Sequence, residues 1–267
     1  MIFGRKYLLP RNLRVHFRQH LVAVFGVLAI LWGLLSCSAP HDNPLDPESD
    51  DYVPNAGRQY GPEDFRIRVR SLHSARPFSH VYSVLAELWT EELIPIDSAS
   101  VTFEARKAIG LDPTVQGIWG TLFASGYFGS DPQMEYAIGR PFVFSVWIRD
   151  DSSFTLGPAY LSRVIVETPI LIHPMNSDTV QPFVTLEWEP FSAEYFHEYR
   201  TSLWRNELDF VAEIWTSDTL HADTSQIGVP DSLQNGNYFW TLLVIDRFGN
   251  SSRSVEGKFR VQVETQP

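Results

Sequence analysis

The sequence predicts an all-β protein made of two antiparallel sandwiches behind an apolar leader and an acidic tether. Beyond residue 61 no stretch has helical periodicity over a useful length. Instead, short runs of alternating apolar and polar residues recur, rich in Val, Ile, Thr and aromatics. Pro, Gly, Asp and Ser separate these runs, as is typical of strands joined by turns. Such spacing predicts sandwiches rather than a helical fold.

Composition limits the size of the fold and its partners. A chain of 267 residues with 44% hydrophobic content can build one or two domains with sizeable cores. Residues 1–36 hold five of the 21 basic residues and none of the 32 acidic ones, which leaves the remainder with a net charge of −16. That balance repels nucleic acid and anionic lipid. Because Lys107 and Lys258 are the only lysines beyond the leader, we expect no basic patch.

An uncharged apolar run, residues 21–35, follows the basic N-terminal stretch. A spanning helix needs about 20 such residues, whereas the apolar region of a signal peptide needs roughly 7–15. The run ends at Leu34-Leu35-Ser36-Cys37, which contains the single cysteine of the sequence. Residues 1–36 are therefore predicted to be a signal peptide. A signal anchor with a chance cysteine, or a buried core helix, is the alternative.

Leu34-Leu35-Ser36-Cys37 resembles the lipobox of bacterial lipoprotein signal peptides. The resemblance implies cleavage between Ser36 and Cys37 and acylation of Cys37, with palmitate as a typical acyl group. Covalent lipid on Cys37 would then hold the protein at a membrane of the cell envelope. In that family an Asp after the cysteine often means inner-membrane retention. Ser38 stands there instead, which favours the outer membrane, with the domains on the periplasmic face or at the cell surface.

Residues 37–61 are predicted to be the acylated cysteine and a flexible acidic tether. The segment has four prolines, a cluster of acidic residues and few apolar ones, so it cannot bury enough surface to fold. Its Asp42-Asn43-Pro44-Leu45-Asp46-Pro47 stretch resembles one found in bacterial lipoproteins that carry immunoglobulin-like domains. The carboxylates lack the spacing of a calcium loop, so a solvated linker is the preferred interpretation.

Residues 169–267 are predicted to form the second sandwich. Its predicted strands are 183–188, 196–204, 210–215, 238–246 and 255–263. The segment resembles a fibronectin type III domain in four features. These are a core Trp188 after Leu186, an inward Tyr199, a tyrosine corner formed by Leu233, Gly236 and Tyr238, and a hairpin at 245–251 in which Gly249 and Asn250 supply positive φ.

Residues 62–168 are predicted to form the first, immunoglobulin-like sandwich. Its predicted strands are 65–72, 81–89, 100–106, 118–125, 142–149 and 160–167, and residues 107–120 interrupt the pattern. The pair 142–150 and 161–167 echoes the pair 238–246 and 255–263, which suggests two related units rather than one large barrel. The short join Glu167-Thr168-Pro169 predicts a stiff elbow with the two sandwiches end to end.

No local catalytic motif is present, so the protein is predicted not to be an enzyme and to use no cofactor. The histidines beyond the leader are scattered singly, without a pair at metal-ligand spacing, and no metal site is predicted: His41, His73, His80, His173, His197 and His221. Asp150 and Asp151 are adjacent and are predicted to start a turn. An envelope enzyme whose site is assembled from distant residues stays an alternative.

Strand alternation yields the best candidate for a binding surface. It places Tyr199, Leu203 and the even-numbered residues from 238 to 244 inward. The predicted partner-binding residues point the other way: Phe196, Arg200, Trp204, Phe239 and Leu243. Exposed aromatics beside an arginine are typical of protein interfaces, which predicts a protein partner in the cell envelope.

Two alternatives to this interface remain open. The outward aromatics can instead pack under a neighbouring domain or a loop, or be singly exposed. Trp89 and Trp147 also fall opposite the apolar faces of their strands, so stacking of sugar rings on exposed tryptophans is a further possibility. The predicted function is a non-catalytic interaction or structural module, with a surface carbohydrate-binding or adhesion protein as the alternative.

Overall fold

The computed structural model describes residues 60–90, 94–115, 117–149, 152–208 and 210–263. The predicted signal peptide, the cleavage site at Ser36 and Cys37, and the tether up to residue 59 lie outside these described residues. Asp150 and Asp151, the predicted turn, also lie outside them. No helix within the described ranges is long and apolar enough to cross a membrane.

The first sandwich encloses one hydrophobic cluster that extends from Phe65 to Leu161. Its strands are β1 (Phe65–Arg76), β2 (Ser79–Thr90), β3 (Ile96–Phe103), β4 (Ile109–Gly110), β5 (Asp112–Val115), β6 (Ile118–Ala124), β7 (Pro141–Ile148) and β8 (Ser153–Tyr160). The rings of Phe103 and Phe142 are fully buried, with centroids 4.7 Å apart. Short 3₁₀ turns at Pro62–Asp64, Ser125–Phe128 and Glu135–Ala137 complete this part of the chain.

The second sandwich encloses a separate cluster that extends from Leu171 to Val261. Its strands are β9 (Leu171–His173), β10 (Asp178–Val180), β11 (Thr185–Trp188), β12 (His197–Glu207), β13 (Phe210–Thr216), β14 (Leu220–His221), β15 (Gln226–Gly228), β16 (Gly236–Asp246), β17 (Ser251–Arg253) and β18 (Gly257–Val261). The predicted fold class, all-β with two immunoglobulin-like sandwiches, is confirmed.

The two sandwiches share one sheet. β1 of the first sandwich pairs in parallel with β17 of the second, so that Leu72 lies opposite Ser251 and Ser74 opposite Arg253. The resulting joined sheet has eleven described strands and includes the path β10-β18-β16-β17-β1-β2-β6-β5, with β12 beside β16. Two smaller sheets, β4-β3-β7-β8 and β15-β11-β9, provide the other layers of the sandwiches.

The predicted end-to-end arrangement is therefore wrong. Backbone hydrogen bonds between β1 and β17 join the sandwiches edge to edge, in addition to the covalent link at Glu167-Thr168-Pro169. A strand edge left open exposes unpaired N–H and C=O groups, and this pairing satisfies one edge from each sandwich. We call this junction, residues 72–74 of β1 paired with residues 251–253 of β17, the seam.

The predicted inward residues of the second sandwich are confirmed. Trp188, Tyr199, Leu203, Trp240 and the other even-numbered residues from 238 to 244 are buried. The tyrosine corner is present as well, because the Tyr238 hydroxyl donates to the Gln234 carbonyl oxygen at 2.8 Å. Burial of the phenol raises the pKa of Tyr238.

Three local predictions differ from the structure. The strand predicted at 160–167 is absent beyond its first residue, because β8 lies earlier, at Ser153–Tyr160. The chain beyond it buries Leu161 and Ile165 without a sheet ladder, so apolar alternation there reflects burial alone. The predicted echo of 238–246 and 255–263 in 142–150 and 161–167 therefore fails, because 161–167 is not a strand. Residues 107–120, predicted to interrupt the strands, contain β4, β5 and the start of β6.

The turn between β16 and β17 uses only one of its two predicted positive-φ residues. Gly249 has φ of +85°, whereas Asn250 is not among the positive-φ residues. Asn250 is fully buried and accepts a hydrogen bond from the Ser71 amide at 2.9 Å. Its side-chain amide donates to Ser162 Oγ at 2.8 Å and to Asp246 Oδ2 at 2.9 Å. Asn250 therefore links the two sandwiches through side-chain hydrogen bonds next to the seam.

Candidate functional site

The candidate surface is the outer face of the joined sheet, which we define as the side opposite the two hydrophobic clusters. On β12 and β16, alternate residues point to this side because successive strand residues project to opposite faces. Arg200 lies opposite Leu243, and Trp204 lies opposite Phe239, in the antiparallel register of the two strands. Four of the five predicted partner-binding residues are thus brought together on adjacent strands.

The centre of this surface is a stacked pair of aromatic rings. The centroids of Trp204 and Phe239 are 5.1 Å apart and their planes differ by 8°. Both residues are half-buried. Glu213 lies opposite Trp204 on β13, and Lys258 lies opposite Phe239 on β18. The aromatic pair is therefore flanked by one acidic and one basic residue on the two neighbouring strands.

Hydroxyl groups lie beside the aromatic pair. Ser202 Oγ and Thr216 Oγ1 are 2.8 Å apart, and the Thr216 hydroxyl also donates to the Glu213 carboxylate. Thr241 lies opposite Ser202 on the neighbouring strand and is buried. The surface consequently combines the Trp204–Phe239 ring stack with the Ser202 hydroxyl, two residues from Trp204 along β12. It also includes the Lys258 ammonium, on the strand next to Phe239.

Phe196, the fifth predicted residue, lies just before β12 and is 54% exposed. It lines a cavity of about 340 Å³ together with Arg163, Glu194, Tyr195, Asp246 and Arg247. In that cavity Arg163 Nε is 3.1 Å from Asp246 Oδ2, and the Arg163 guanidinium lies 4.0 Å from the centroid of the Tyr195 ring.

The charges of this cavity are largely matched to one another. Asp246 accepts from the amides of Phe248 and Asn250 as well as facing Arg163. Burial, followed by the nearby Glu167 carboxylate, raises the pKa of Tyr195. Because Asp246 is buried and holds the β16–β17 turn through two backbone amides and the Asn250 side-chain amide, we assign the cavity a structural role.

The two tryptophans considered for sugar binding lie on different sheets. Trp147 is on β7 of the four-stranded sheet and is 44% exposed, whereas Trp89 is on β2 of the joined sheet. The Arg68 guanidinium lies 4.2 Å from the Trp89 ring centroid and covers that ring. Sugar stacking needs an exposed ring face. Arg68 covers one face of Trp89, and Trp204 and Phe239 each cover one face of the other, which leaves Trp147 as the most exposed of these four rings.

A histidine pair at the seam was missed by sequence reasoning. His73 Nε2 lies 2.9 Å from His80 Nδ1, and the two rings are stacked. The β1–β2 hairpin brings them together, because His80 lies opposite Ala75, two residues along from His73. The tight turn at Pro77-Phe78 was the sequence signal that could have revealed the pair.

The proton positions in this pair follow from its neighbours. The Ser252 hydroxyl donates to the Glu167 carbonyl oxygen at 2.6 Å, so Ser252 Oγ must accept from His73 Nδ1, 2.9 Å away. His73 Nε2 is then unprotonated and accepts from His80 Nδ1. Burial, and then the neighbouring His80, lower the pKa of His73 from 6.5 to about 4.

This arrangement stabilises the seam instead of forming a nucleophile. Ser252 is fully buried and its proton is directed to the Glu167 backbone, whereas a nucleophilic serine needs its hydroxyl free to meet a substrate. Within the described part of the chain, no three or more His, Cys, Asp or Glu residues are grouped to hold a metal ion.

The described residues define an all-β protein of two sandwiches that share one sheet. Among solved structures, the chain is similar to the fibronectin(III)-like modules of Clostridium thermocellum CbhA, with 13% identity and a TM-score of 0.31 over 75% of this chain and 94% of that one. It is also similar to the chicken CNTN1 FN1-FN3 domains, with 8% identity and a TM-score of 0.34 over 72% of this chain and 66% of that one. The sequence matches no family model and no curated protein.

Proposed function

We propose that this protein is a lipid-anchored, non-catalytic interaction module of the bacterial cell envelope. In this proposal Cys37 carries the acyl chains, residues 38–61 are the tether, and the sandwiches present a surface to a protein partner. The binding residues are those of the outer face, with Phe196 at its end: Phe196, Arg200, Trp204, Phe239 and Leu243. The observation that carries the proposal is the half-buried Trp204–Phe239 stack, on the same sheet face as Arg200, which lies four residues from Trp204 along β12.

The physical reason is the cost of leaving this surface uncovered. Aromatic side chains dominate interface energetics because each buries a large apolar area with few rotatable bonds. Trp204 and Phe239 have only each other as described ring partners, while the aromatic rings of the second core pack within a closed cluster. A partner that covers the stack would remove its remaining apolar surface from water.

The partner surface can be tested with a photo-crosslinking residue in place of Ser202, between Arg200 and Trp204. We expect an adduct with an envelope protein in intact cells that Phe239→Ala and Trp204→Ala weaken while lowering the melting temperature by only a few degrees. The matched control places the same residue at Trp147, on a different sheet, where no adduct is expected. Adducts that persist in both alanine variants would refute the proposed surface.

The lipid anchor can be tested at Cys37. Cys37→Ala should abolish palmitate labelling and partitioning into the detergent phase, because the thioether forms on the cysteine sulfur. Ser38→Ala keeps the thiol and should keep both signals. Labelling that survives in Cys37→Ala would overturn the anchor. Protease access on intact cells then separates the periplasmic face of the outer membrane from the cell surface.

Carbohydrate binding is the second candidate, and the exposed Trp147 is the observation that favours it. Glycan-array binding that is lost in Trp147→Ala and retained in Phe239→Ala would support it. Loss in Phe239→Ala alone would assign the glycan to the outer face instead.

A further inference from the structure

The outer face continues across the seam onto the first sandwich. Arg200 lies opposite Leu243, Leu243 opposite Arg253, and Arg253 opposite Ser74 of β1. Cross-strand partners point to the same side of a sheet, so these residues form one row over four strands. Arg76 occupies the next position of β1 on the same side.

Basic residues are concentrated on this face. Strand register places eight there: Arg66, Arg68, Arg70, Arg76, Arg200, Arg253, Lys258 and Arg260. The acidic strand residues of the described joined sheet that share the face are Glu87, Asp112, Glu198 and Glu213. Beyond the leader, the chain as a whole has twice as many acidic as basic residues. The outer face reverses that ratio, so the expectation of no basic patch is wrong.

Part of this positive charge is already neutralised. Glu87 is buried and pairs with both Arg68, at 3.1 Å, and Arg70, at 3.0 Å, which leaves this trio with one excess positive charge. Lys258 is 3.2 Å from Glu256. Arg76, Arg200 and Arg253 lie in or next to the row through Leu243, and Glu198 is the acidic residue of this face nearest to them along β12.

Arg76, Arg200 and Arg253 are exposed, and their side chains make no hydrogen bond or ion pair with the described residues. Leu243 lies between Arg200 and Arg253, and Val81 lies beyond Ser74 in the same row. Strands are about 4.8 Å apart, so the Cα atoms of Arg200 and Arg253 are about 10 Å apart across Leu243. Free guanidinium groups thus alternate with apolar side chains.

We propose that the outer face binds an extended acidic polypeptide segment of a partner protein. In the polyproline II conformation an extended chain has three residues per turn and rises about 3.1 Å per residue. Carboxylates three residues apart then lie on the same side of the chain, about 9 Å apart, which matches the spacing of Arg200 and Arg253. Guanidinium groups bind carboxylates through two parallel hydrogen bonds. The intervening apolar residues of the segment cover Leu243 and Val81, for which a uniform polyanion has no matching group. This inference rests on the proposed function and names the chemistry of its partner.

The test uses the full-length chain in neutral detergent and a labelled synthetic peptide with glutamate at every third position and leucine and threonine between. Fluorescence anisotropy should show binding that weakens as salt rises, because the exposed charges are screened. The double variant Arg200→Glu, Arg253→Glu should bind at least about tenfold more weakly. The control Arg149→Glu, with the same change of charge per site on an exposed residue off the joined sheet, should stay within about twofold.

The control for misfolding is the double variant Arg200→Gln, Arg253→Gln, which removes the charges without reversing them. It should weaken peptide binding by an intermediate amount at an unchanged melting temperature. Equal loss in Arg149→Glu, or equal binding of a peptide with lysine replacing glutamate, would overturn the proposal. So would face-dependent binding to anionic vesicles or to an oligonucleotide without peptide binding, or self-association that the double variant abolishes.

Failure of this inference can be told apart from failure of the proposed function. If the peptide does not bind while the Ser202 adduct in cells still depends on Phe239, only the acidic partner is refuted. If the peptide binds through Arg200 and Arg253 but no adduct forms in cells, the surface binds acidic peptides and its proposed role in the envelope fails.

Discussion

Strands β12 and β16 carry two surfaces of opposite character. On the inner side, Tyr199, Leu203 and Trp240 are fully buried. On the outer side, the neighbouring residues Arg200, Trp204 and Phe239 stay exposed or half-buried. A shift of one position along the chain therefore changes a core residue into a surface residue, and the two surfaces should respond to mutation in different ways.

The largest expected difference lies between the adjacent residues Trp240 and Phe239. Trp240 is fully buried and its indole N–H donates to the Pro174 carbonyl at 2.8 Å. Trp240→Ala should reduce the free energy of unfolding by about 3–5 kcal/mol, since it removes a large core side chain. Phe239→Ala should cost about 1 kcal/mol or less. Chemical denaturation measures both, and equal losses would contradict the assignment of the two faces.

The seam gives the next largest effect. Asn250→Ala leaves the buried Ser71 amide without its acceptor and Asp246 with one donor fewer. We expect a loss of about 2–3 kcal/mol, with faster hydrogen exchange at residues 71–74. The control Asn237→Ala, at an exposed position of β16, should change neither quantity. Unchanged exchange in Asn250→Ala would show that the seam does not depend on this side chain.

Acid should weaken the seam through His73. Its pKa is lowered from 6.5 to about 4 in the folded protein, so between these values the unfolded chain binds the proton and the folded chain does not. This stability is fully present above the unfolded pKa, falls as the pH drops below it, and falls no further below the folded pKa. By linkage, the loss between pH 7 and about pH 5 is about 2 kcal/mol.

The measurement is the free energy of unfolding at those two pH values. His73→Gln should reduce the difference by that amount, because glutamine does not titrate. His221→Gln, at an exposed histidine outside the seam, should leave the difference unchanged. An identical pH dependence in His73→Gln and the parent chain would rule out His73 as its source.

Sequence patterns predicted the faces of strands far better than they predicted which strands meet. Alternation correctly oriented Tyr199 and Trp240 because one buried face imposes a period of two. The seam gave no such signal. β17 is only three residues long, Ser251-Ser252-Arg253, and has no apolar alternation. Its partner β1 lies far away in the sequence, so no local pattern links them.

The sequence predicted only part of the outer face. Its aromatic residues and Arg200 followed from alternation on β12 and β16. Its other arginines were overlooked because overall charge and lysine count average over both faces. The alternating Arg66, Arg68 and Arg70 of β1 were a direct signal for one basic strand face. Joining that face to Arg253 required the seam, which only the three-dimensional structure shows.

The pairing of β1 with β17 has a consequence for how the protein is made. The hydrogen bond between Ser71 and Asn250 joins residues 179 positions apart, so one edge of the first sandwich waits for nearly the whole chain. Contacts of such long sequence separation form late and slowly. A chain emerging N-terminus first can pack its first core early, but it keeps the β1 edge open until its last strands arrive. Premature termination before residue 250 would leave that edge permanently unprotected.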